Sequence, residues 1–372
     1  NRLALDAATE NAKRLGVDRR SFLVSACGAA STLLAMNTAY AASGARGGYY
    51  EVPRDAALDV HAARATVEGE EFIFDVQGHF VNPSGAWLER LPRLLRDVVG
   101  EWELTPDGPV AHGVCAVVVP VRTADGRAAA LKVGWPHWEA ETEHLALQRW
   151  HGDGAVELLR ADPRRFALLL ERAHTRDRPT PPDVGACEVV AGLYARLHIP
   201  AGPPLRTLSS CVARWSDELE ALPRSAPVPR RLVEQAVSLG RSFVADAATD
   251  GTLVHTDLHY ENVLAADREP WLAIDPKPLS GDPHYEVAPL LWNRWAEAVG
   301  SGDVRWAVRR RLDTVVDAAG LDPDRARDWV VVRQMHNALW CLADASGRPG
   351  GLTEADRTTL TVAVAVAKAV QD

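Results

Sequence analysis

The spacing of apolar positions in the middle of the chain predicts a small lobe of mixed secondary structure. Leu91, Leu94 and Val98 recur at intervals of three and four residues, as on one face of an amphipathic helix. Apolar runs on either side of Ala124-Asp125-Gly126 favour two strands joined by a tight turn. The predicted elements are a helix over 88–102, strands over 116–121 and 128–133, a helix over 138–150 and a strand over 166–171.

The second half of the chain is predicted to be mainly helical. Amphipathic spacing broken by Pro/Gly turns indicates helices over 183–198, 208–222, 229–247, 285–298, 304–319, 323–345 and 353–370. A polar loop between apolar runs, at 254–264, and a further apolar run at 271–275 interrupt this series. This order predicts an α+β fold with a sheet lobe at 86–173 and a helical lobe at 174–372.

The polar loop carries residues suited to phosphoryl transfer. That reaction needs a carboxylate to orient and deprotonate the attacking hydroxyl, and an amide and a carboxylate to hold Mg²⁺ against the phosphates. Asp257 is predicted to fill the first role, and Asn262 and Asp275 the second. The alternative for Asp275 is a helix cap or turn former. His255 is a general base in principle, but we expect it to organise the loop by hydrogen bonds to the backbone.

Lys132 is one of few lysines in an arginine-rich chain and lies inside a predicted strand. From such a position a kinase lysine reaches the α- and β-phosphates of ATP. The alternative is an edge-strand lysine that faces water. Its partner would be a glutamate on the next helix, with Glu141 the first choice and Glu143 the second. Only one of them can face the lysine, because residues two apart point to different sides of a helix.

Two further segments are candidates for nucleotide contacts. The loop 107–115 would cover the phosphates, but with only Gly108 and Gly113 it is equally consistent with an ordinary turn. The segment 170–173 lies where a hinge between the lobes would bind adenine through its backbone, which makes Glu171 and Ala173 candidate residues.

The first 85 residues have a different character. Arg19-Arg20 and the weakly apolar run after it resemble a twin-arginine export signal, with an ordinary amphipathic helix as the alternative. A buried strand is predicted over 71–81, and its Asp75 and His79 are similar to amidohydrolase metal ligands, although no further barrel strands follow. We therefore expect residues 1–85 to be an extraneous, poorly ordered leader fused to the rest.

Composition narrows the classes of function. The formal net charge of −9 over 372 residues argues against a nucleic-acid binder, which would carry a basic face. It is compatible with a cationic small substrate, although many proteins are acidic for solubility alone. The five cysteines are scattered without a CxxC pair, so neither structural zinc nor a disulfide framework is expected.

Several motifs together resemble the aminoglycoside phosphotransferase family, in particular its branch of streptomycin 6-kinases and hydroxyurea phosphotransferases. These motifs occupy 102–108, 130–134, 144–147, 150–155, 168–172, 255–259, 274–278, 281–283 and 286–291. The resemblance implies a two-lobe protein-kinase-like fold that binds ATP and Mg²⁺ in the cleft and phosphorylates an aminoglycoside hydroxyl. For a substrate with two guanidinium groups, it also implies carboxylates in the helical lobe. Asp217, Asp282 and Glu286 are the candidates, although Asp282 is better suited to holding the catalytic loop through hydrogen bonds.

The sequence thus predicts a monomeric, cytoplasmic kinase for a cationic aminoglycoside, specifically streptomycin at its 6-hydroxyl, with no nucleic-acid or stable membrane partner. The nearer alternative is a kinase for hydroxyurea or another small compound. An exported metal-dependent hydrolase or secreted binding protein is the alternative from another class. Because export would separate a kinase from ATP, we expect the leader to be inert or to precede the true start; the chain begins at Asn1, and Met36 is the only methionine before Met335.

Overall fold

The chain forms two compact units, Asn1–Asp75 and Val76–Asp372. The computed structural model describes residues 2–23, 25, 27, 28, 30–32, 34, 35, 38, 52–67, 86–113, 115–174, 183–348 and 350–371. The predicted strand over 71–81, its Asp75 and His79, and the predicted boundary after residue 85 fall in a stretch outside the described residues. They stay predictions.

The first unit is a small helical assembly. Its described elements are α1 Arg2–Leu15, α2 Arg19–Leu23, a 3₁₀ turn at Arg54–Ala57 and α3 Val60–Val67. Asp18 Oδ1 accepts hydrogen bonds from the backbone N–H groups of Arg20 and Ser21, at 3.0 and 3.1 Å, and so caps the start of α2. Phe22 of this helix is buried in a cluster with Ala8 and other small residues. The arginine pair therefore begins a capped, packed helix.

The second unit starts with a lobe in which one helix packs on a six-stranded antiparallel sheet. The elements are α4 Ala86–Glu101, β1 Thr105–Pro106, β2 Ala111–His112, β3 Ala116–Arg122, β4 Ala128–Gly134, β5 Leu158–Asp162 and β6 Ala167–Glu171, with α5 Glu143–Trp150 between β4 and β5. The strand order is β1-β3-β4-β6-β5, and β2 also pairs with β3. The predicted helix, hairpin and third strand are confirmed. β5 is not indicated by the sequence, because its side chains are only half-buried and do not alternate.

The central strand β4 sets the direction of Lys132. Leu131 and Val133 point into the core shared with α4, where they meet Trp102 and Leu169. Since successive side chains of a strand point to opposite faces, Lys132 points away from that core. Its neighbours across the sheet are Val118 in β3 and Leu168 in β6, so it is a central-strand lysine rather than an edge one.

The helix predicted over 138–150 is shorter than expected. It begins at Glu143, after a 3₁₀ turn at Ala140–Thr142. The residues before this turn lead from the sheet toward the other lobe, where the Trp138 ring lies 6.3 Å from that of Trp215. The segment before the helix therefore contacts the helical lobe.

The rest of the second unit is mainly helical. Its helices are α6 Asp183–Leu197, α7 Leu208–Glu220, α8 Arg230–Ala245, α9 Ala288–Trp292, α10 Trp295–Gly300, α11 Val304–Ala319, α12 Pro323–Ser346 and α13 Glu354–Ala369. Two short antiparallel pairs interrupt them, β7 Thr252–Val254 with β10 Leu279–Gly281 and β8 Val263–Leu264 with β9 Leu272–Ala273. Side-chain caps from Asp303, Asp322 and Thr353 fix the starts of α11, α12 and α13 close to the predicted positions. No helix in the described ranges is long and apolar enough to span a bilayer.

The single helix predicted over 285–298 is broken into a 3₁₀ turn at Pro283–Val287 followed by α9 and α10. Arg294 between the two helices adopts a left-handed backbone with φ of 49°. The guanidinium of the fully buried Arg311 donates hydrogen bonds to this break, to the carbonyl oxygen of Asn293 at 2.7 Å and to that of Arg294 at 3.3 Å. A buried arginine needs such acceptors, and an unbroken helix would use these carbonyl groups itself.

Leu131→Ala is expected to lower the free energy of unfolding by about 2–5 kcal/mol, because it removes buried methyl groups and leaves a cavity beneath α4. Val110→Ala is the control, since that side chain is 60% exposed, and its effect should stay below about 0.5 kcal/mol. Urea denaturation followed by circular dichroism measures both values. Equal effects would contradict the core position of Leu131.

Candidate active site

The two short strand pairs bring Asp257, Asn262 and Asp275 together. β7 leads into the loop that carries Asp257, while Asn262 directly precedes β8 and Asp275 follows β9. The Ile274 N–H donates to the Asn262 carbonyl at 2.9 Å, which holds the ends of these two strands side by side. Asn262 Nδ2 in turn donates to the Asp257 carbonyl at 2.8 Å. The residues predicted for phosphoryl transfer therefore form one cluster.

His255 organises this cluster through the backbone. Its Nδ1 accepts the Asp257 N–H at 3.3 Å, so the proton lies on Nε2, which donates to the Ile274 carbonyl at 2.9 Å. The ring is fully buried and stacks on Trp150, with centroids 6.1 Å apart. Burial lowers the pKa of His255 and keeps the ring neutral. With both nitrogens occupied, this histidine supports the loop as expected.

The backbone on both sides of the cluster is in an uncommon conformation. Thr256 and Asp275 have φ values of 63° and 56°, in the left-handed region that non-glycine residues seldom occupy. Thr256 is held by two bonds, from its N–H to Glu286 Oε1 at 2.5 Å and from its hydroxyl to the Lys277 carbonyl at 2.6 Å. Such strain persists only where surrounding contacts fix it, as is common at functional sites.

Five charged side chains meet where the two lobes face each other. Lys132 Nζ donates to Glu143 Oε1 at 2.6 Å and also to Asp275 Oδ1. Lys277 Nζ donates to Asp257 Oδ2 and lies 3.7 Å from Asp275 Oδ2. Asp275 thus lies between two ammonium groups, one from each lobe, and the five side chains form a continuous ion cluster.

Glu143, and not Glu141, is the partner of Lys132. Glu143 is buried at the first position of α5, whereas Glu141 lies in the preceding 3₁₀ turn with its side chain half exposed. Glu141 instead accepts a hydrogen bond at 2.7 Å from Arg206 in the helical lobe. The expectation for Glu141 was wrong because it assumed one continuous helix, and the 3₁₀ turn changes which residue faces the strand.

Charged neighbours outweigh burial in setting the pKa values of the two lysines and two aspartates of the cluster. Burial acts to lower the pKa of Lys132, but the carboxylates of Asp275 and Glu143 outweigh it and raise the pKa. Burial likewise acts to raise the pKa of Asp257 and of Asp275, yet nearby lysines hold both pKa values below the ordinary range. For Asp257 that lysine is Lys277, whose own pKa is raised by Asp257 and Asp275 against the effect of burial. Both aspartates and both lysines are therefore charged at neutral pH.

The predicted hinge and, apart from residue 114, the predicted covering loop lie in described parts of the lobe. The Glu171 N–H donates to the Glu157 carbonyl at 2.9 Å, and its carboxylate accepts from Arg268 at 2.9 Å. Ala173 follows as the chain enters the helical lobe, where it is half-buried against the core. In the loop 107–115, β2 pairs with β3 and the Gly113 N–H donates to the Ala116 carbonyl at 2.8 Å, so this segment is a short hairpin.

Two of the three carboxylates proposed to bind a cationic substrate are buried structural groups. Asp282 Oδ2 accepts from Arg325 Nε and from Trp329 Nε1, both at 2.6 Å, and the residue is 1% exposed. Glu286 is fully buried, with Oε1 on the Thr256 N–H and Oε2 at 2.9 Å from His198 Nε2. Neither can reach a substrate, and both hold the walls of the site, which agrees with the alternative stated for Asp282.

The third, Asp217, lies on the outer face of α7. Its side chain is 79% exposed and its Oδ1 is 3.9 Å from Arg241 of α8. An exposed acidic residue beside an arginine is typical of a solvated helix surface, where such a pair contributes little. The structure brings Asp217 into no contact with the charged cluster among the described residues.

Lys277 is the residue of the cluster to which the sequence analysis assigned no role. It follows Asp275 in the motif Asp275-Pro276-Lys277-Pro278. A signal was present, because the chain has only four lysines, at 13, 132, 277 and 368, among 41 basic residues. A rare lysine between two prolines, two residues after a candidate metal ligand, was therefore a signal that Lys277 belongs to the site.

The donor set of the cluster fits a Mg²⁺ ion. Asn262 Nδ2 donates a hydrogen bond to the Asp257 carbonyl, which leaves Oδ1 of the same side chain as the atom that can bind a cation. The Asp275 side chain is 43% exposed and offers a carboxylate beside it. Mg²⁺ prefers hard oxygen ligands and is commonly held by one or two protein groups with phosphate and water oxygens. In the described residues, His, Cys, Asp and Glu alone form no metal-binding group of three or more.

The sheet lobe, the helical lobe and the charged cleft between them define a protein-kinase-like phosphotransferase. Choline kinase LicA from Streptococcus pneumoniae has this fold, with a TM-score of 0.52 at 12% identity, covering 76% of this chain and 100% of that one. A choline/ethanolamine kinase family protein from Mesorhizobium loti also has a TM-score of 0.52, at 17% identity, covering 75% and 95%. At such identities the likeness shows the fold, and it confirms the predicted fold class.

The family follows from the sequence. Residues 101–345 match the aminoglycoside/hydroxyurea antibiotic resistance kinases, and the chain belongs to this family. Streptomycin 6-kinase from Streptomyces glaucescens is 41% identical over 269 residues, covering 70% of this chain and 86% of that protein. Hydroxyurea phosphotransferase from Kitasatospora aureofaciens is 39% identical over 287 residues, covering 75% and 82%. The resemblance drawn from the motifs is confirmed.

Glu286→Ala is expected to lower the free energy of unfolding by about 1–3 kcal/mol, because the buried Thr256 N–H and His198 would lose their acceptor. Glu297→Ala on α10 is the matched control, since that glutamate is exposed and should contribute less than about 1 kcal/mol. Thermal and urea unfolding measure the difference. A Glu286 variant as stable as the Glu297 variant would show that the buried carboxylate does not hold the loop.

Proposed function

We propose that the chain is an ATP-dependent kinase that phosphorylates streptomycin at its 6-hydroxyl. The observation that carries the proposal is the cluster of Asp257, Asn262 and Asp275 facing the Lys132–Glu143 pair across the cleft. The acceptor is supported by the 41% identity to a streptomycin 6-kinase. We further propose that it acts as a monomer in the cytoplasm, where ATP is available.

In this mechanism Asp257 orients the acceptor hydroxyl. Its low pKa makes it a weak base, so it contributes mainly by position and takes the proton late, as the transition state for phosphoryl transfer is largely dissociative. The bond from the acceptor oxygen to the γ-phosphorus forms while the bond from that phosphorus to the bridging oxygen breaks. The electron pair leaves on ADP, and the hydroxyl proton passes to Asp257.

The other residues hold the nucleotide. Lys132, fixed by Glu143, would bind the α- and β-phosphates, while Asn262 and Asp275 would bind Mg²⁺, which when present neutralises charge on the phosphates. For adenine we propose the carbonyl of Glu171 and the N–H of Ala173. The Glu171 N–H is already used by Glu157, so the carbonyl is the polar backbone group of Glu171 that this role requires.

A cationic acceptor needs negative charge that Asp282 and Glu286 cannot provide. Glu139 is our candidate, since it is half-buried just after β4, next to Trp138. Burial acts to lower the pKa of Lys277, but Asp257, Asp275 and Glu139 together raise it. This effect of Glu139 indicates that its carboxylate lies near the cluster.

Hydroxyurea is the second candidate acceptor. The observation that favours it is the 39% identity to a hydroxyurea phosphotransferase over a similar share of the chain. Hydroxyurea is small and uncharged, so it would not need the carboxylate of Glu139. Activity of a Glu139→Gln variant therefore separates the two acceptors: turnover of streptomycin should fall, and turnover of hydroxyurea should not.

Purified protein with ATP, Mg²⁺ and streptomycin should release ADP, and mass spectrometry with NMR of the product should locate the phosphate. Asp257→Ala is expected to lower kcat by about 10²–10⁴, the usual range for loss of a positioned acid or base. Asp217→Ala, on the exposed face of α7, serves as the control and should keep normal turnover. Near-normal turnover by the Asp257 variant would contradict the proposed kinase mechanism. Hydroxyurea in place of streptomycin tests the second acceptor.

Glu143→Gln should lower kcat/KM for ATP by about 10²-fold, because Lys132 loses the carboxylate that fixes its position. Glu141→Gln is a matched control two residues away that breaks only the half-exposed pair with Arg206. It should change the same constant by less than about fivefold. Steady-state kinetics with varied ATP compares the two variants, and the reverse order of effects would argue for Glu141 as the partner.

A further inference from the structure

The mechanism above leaves one charged side chain of the cluster without a role, that of Lys277. Its ammonium contacts Asp257, the residue that orients the acceptor, and lies 3.7 Å from Asp275, the proposed metal ligand. It therefore lies between the position of the attacking hydroxyl and the position of the metal-bound phosphates. In phosphoryl transfer, the group that moves between those two positions is the γ-phosphoryl group.

The backbone of Lys277 is held without help from its side chain. The Lys277 N–H donates to the His255 carbonyl at 3.0 Å, and the Lys277 carbonyl accepts from the Thr256 hydroxyl at 2.6 Å. Prolines on both sides restrict the chain further. Because these bonds keep the residue against the catalytic loop, the position of its backbone does not depend on the ammonium.

The ammonium lies on the open side of the cluster. The side chain of Lys277 is 28% exposed and that of Asp275 is 43% exposed, whereas that of Lys132 is 11% exposed. An arriving phosphate would meet Lys277 on this side. The ion contact to Asp257 also occupies Oδ2, one of the two oxygens with which that carboxylate could accept a hydroxyl proton.

That residue 277 is a lysine rather than an arginine suggests that its ammonium exchanges one oxygen partner for another. Arginine supplies nearly all the basic residues of this chain, and it is the better residue for a fixed, bidentate pair with a carboxylate. Lysine is a compact charge on a flexible stem and can move from one oxygen to another. Both lysines of the cleft lie among carboxylates that a nucleotide would compete with for the same ammonium groups.

We propose that Lys277 is a catalytic residue of the phosphoryl transfer, an inference that rests on the proposed function. In the free protein its ammonium bridges Asp257 and Asp275, and when nucleotide binds it moves onto an oxygen of the γ-phosphoryl group. This movement frees Asp257 Oδ2 for the acceptor hydroxyl. During transfer Lys277 keeps its proton and stabilises the charge on the phosphoryl oxygens, while the acceptor proton goes to Asp257 and the electron pair of the broken bond leaves on ADP.

The kinetic test compares Lys277→Met, which removes the charge, with Lys277→Arg, which keeps it. Lys368→Met is the matched control, because Lys368 is exposed in the last turn of α13. Lys277→Met should lower kcat by about 10²–10³-fold, as for loss of one group that stabilises a transition-state oxygen, with the KM for the acceptor little changed. Lys277→Arg should recover part of this loss, and Lys368→Met should behave as the wild type.

The second readout is nucleotide binding without turnover. Isothermal titration calorimetry with Mg²⁺ gives the Kd of ADP and of a β,γ-imido ATP analogue for each protein. The wild type should prefer the analogue, and Lys277→Met should lose about tenfold or more of that preference, as expected for one charge-assisted hydrogen bond to the γ-phosphate. Lys277→Arg should retain most of it.

The outcomes separate the two proposals. If Lys277→Met keeps the wild-type kcat, or keeps the wild-type preference for the analogue over ADP, Lys277 does not contact the γ-phosphoryl group and this proposal is overturned. The same holds if activity falls in both variants while the preference stays, which is the result expected of a structural tie. If the wild type phosphorylates neither streptomycin nor hydroxyurea, the proposed acceptor fails, while the binding comparison still decides the role of Lys277.

Discussion

The cluster of three carboxylates and two ammonium groups is the interaction on which the rest of the second unit depends. Glu143, Asp257 and Asp275 would repel one another at this spacing without Lys132 and Lys277 between them. Charges withdrawn from water are tolerated only when they are closely paired and hydrogen-bonded. The sheet, α5 and the strand pairs of the helical lobe each supply one or more members, so these elements must pack correctly for the charges to balance.

The sequence was most informative where contacts are local. Asp257, Asn262 and Asp275 lie in the segments that flank short connected strands, so their order along the chain largely determines that they meet. The direction of Lys132 was equally predictable from the sequence, because strand alternation and a central position decide where its side chain points. Lys277 required more, since its contact with Asp257, which lies 20 residues earlier in the chain, is not revealed by a spacing pattern.

The errors arose where packing between distant residues overrides a local pattern. Periodicity favoured one helix over 285–298, but the break is set by hydrogen bonds to the buried Arg311, contributed by a different helix. Asp282 and Glu286 were candidates because a substrate with guanidinium groups needs carboxylates, and only for Asp282 did the sequence analysis also offer the structural role. Their partners, among them Arg325 and His198, come from separate elements, and nothing in the local sequence marks them as buried.

The contact of Glu141 with Arg206 has a thermodynamic consequence. This contact joins the two lobes outside the ion cluster, near the packed rings of Trp138 and Trp215. Because the pair is half exposed, it adds little to the free energy that holds the lobes together. The ionic part of the work of separating the lobes therefore falls mainly on the buried cluster and on the pair of Glu171 with Arg268. Phosphates that draw the two ammonium groups away from their carboxylates would change that work, so lobe separation and nucleotide occupancy are linked equilibria, each shifting the other by the same free energy.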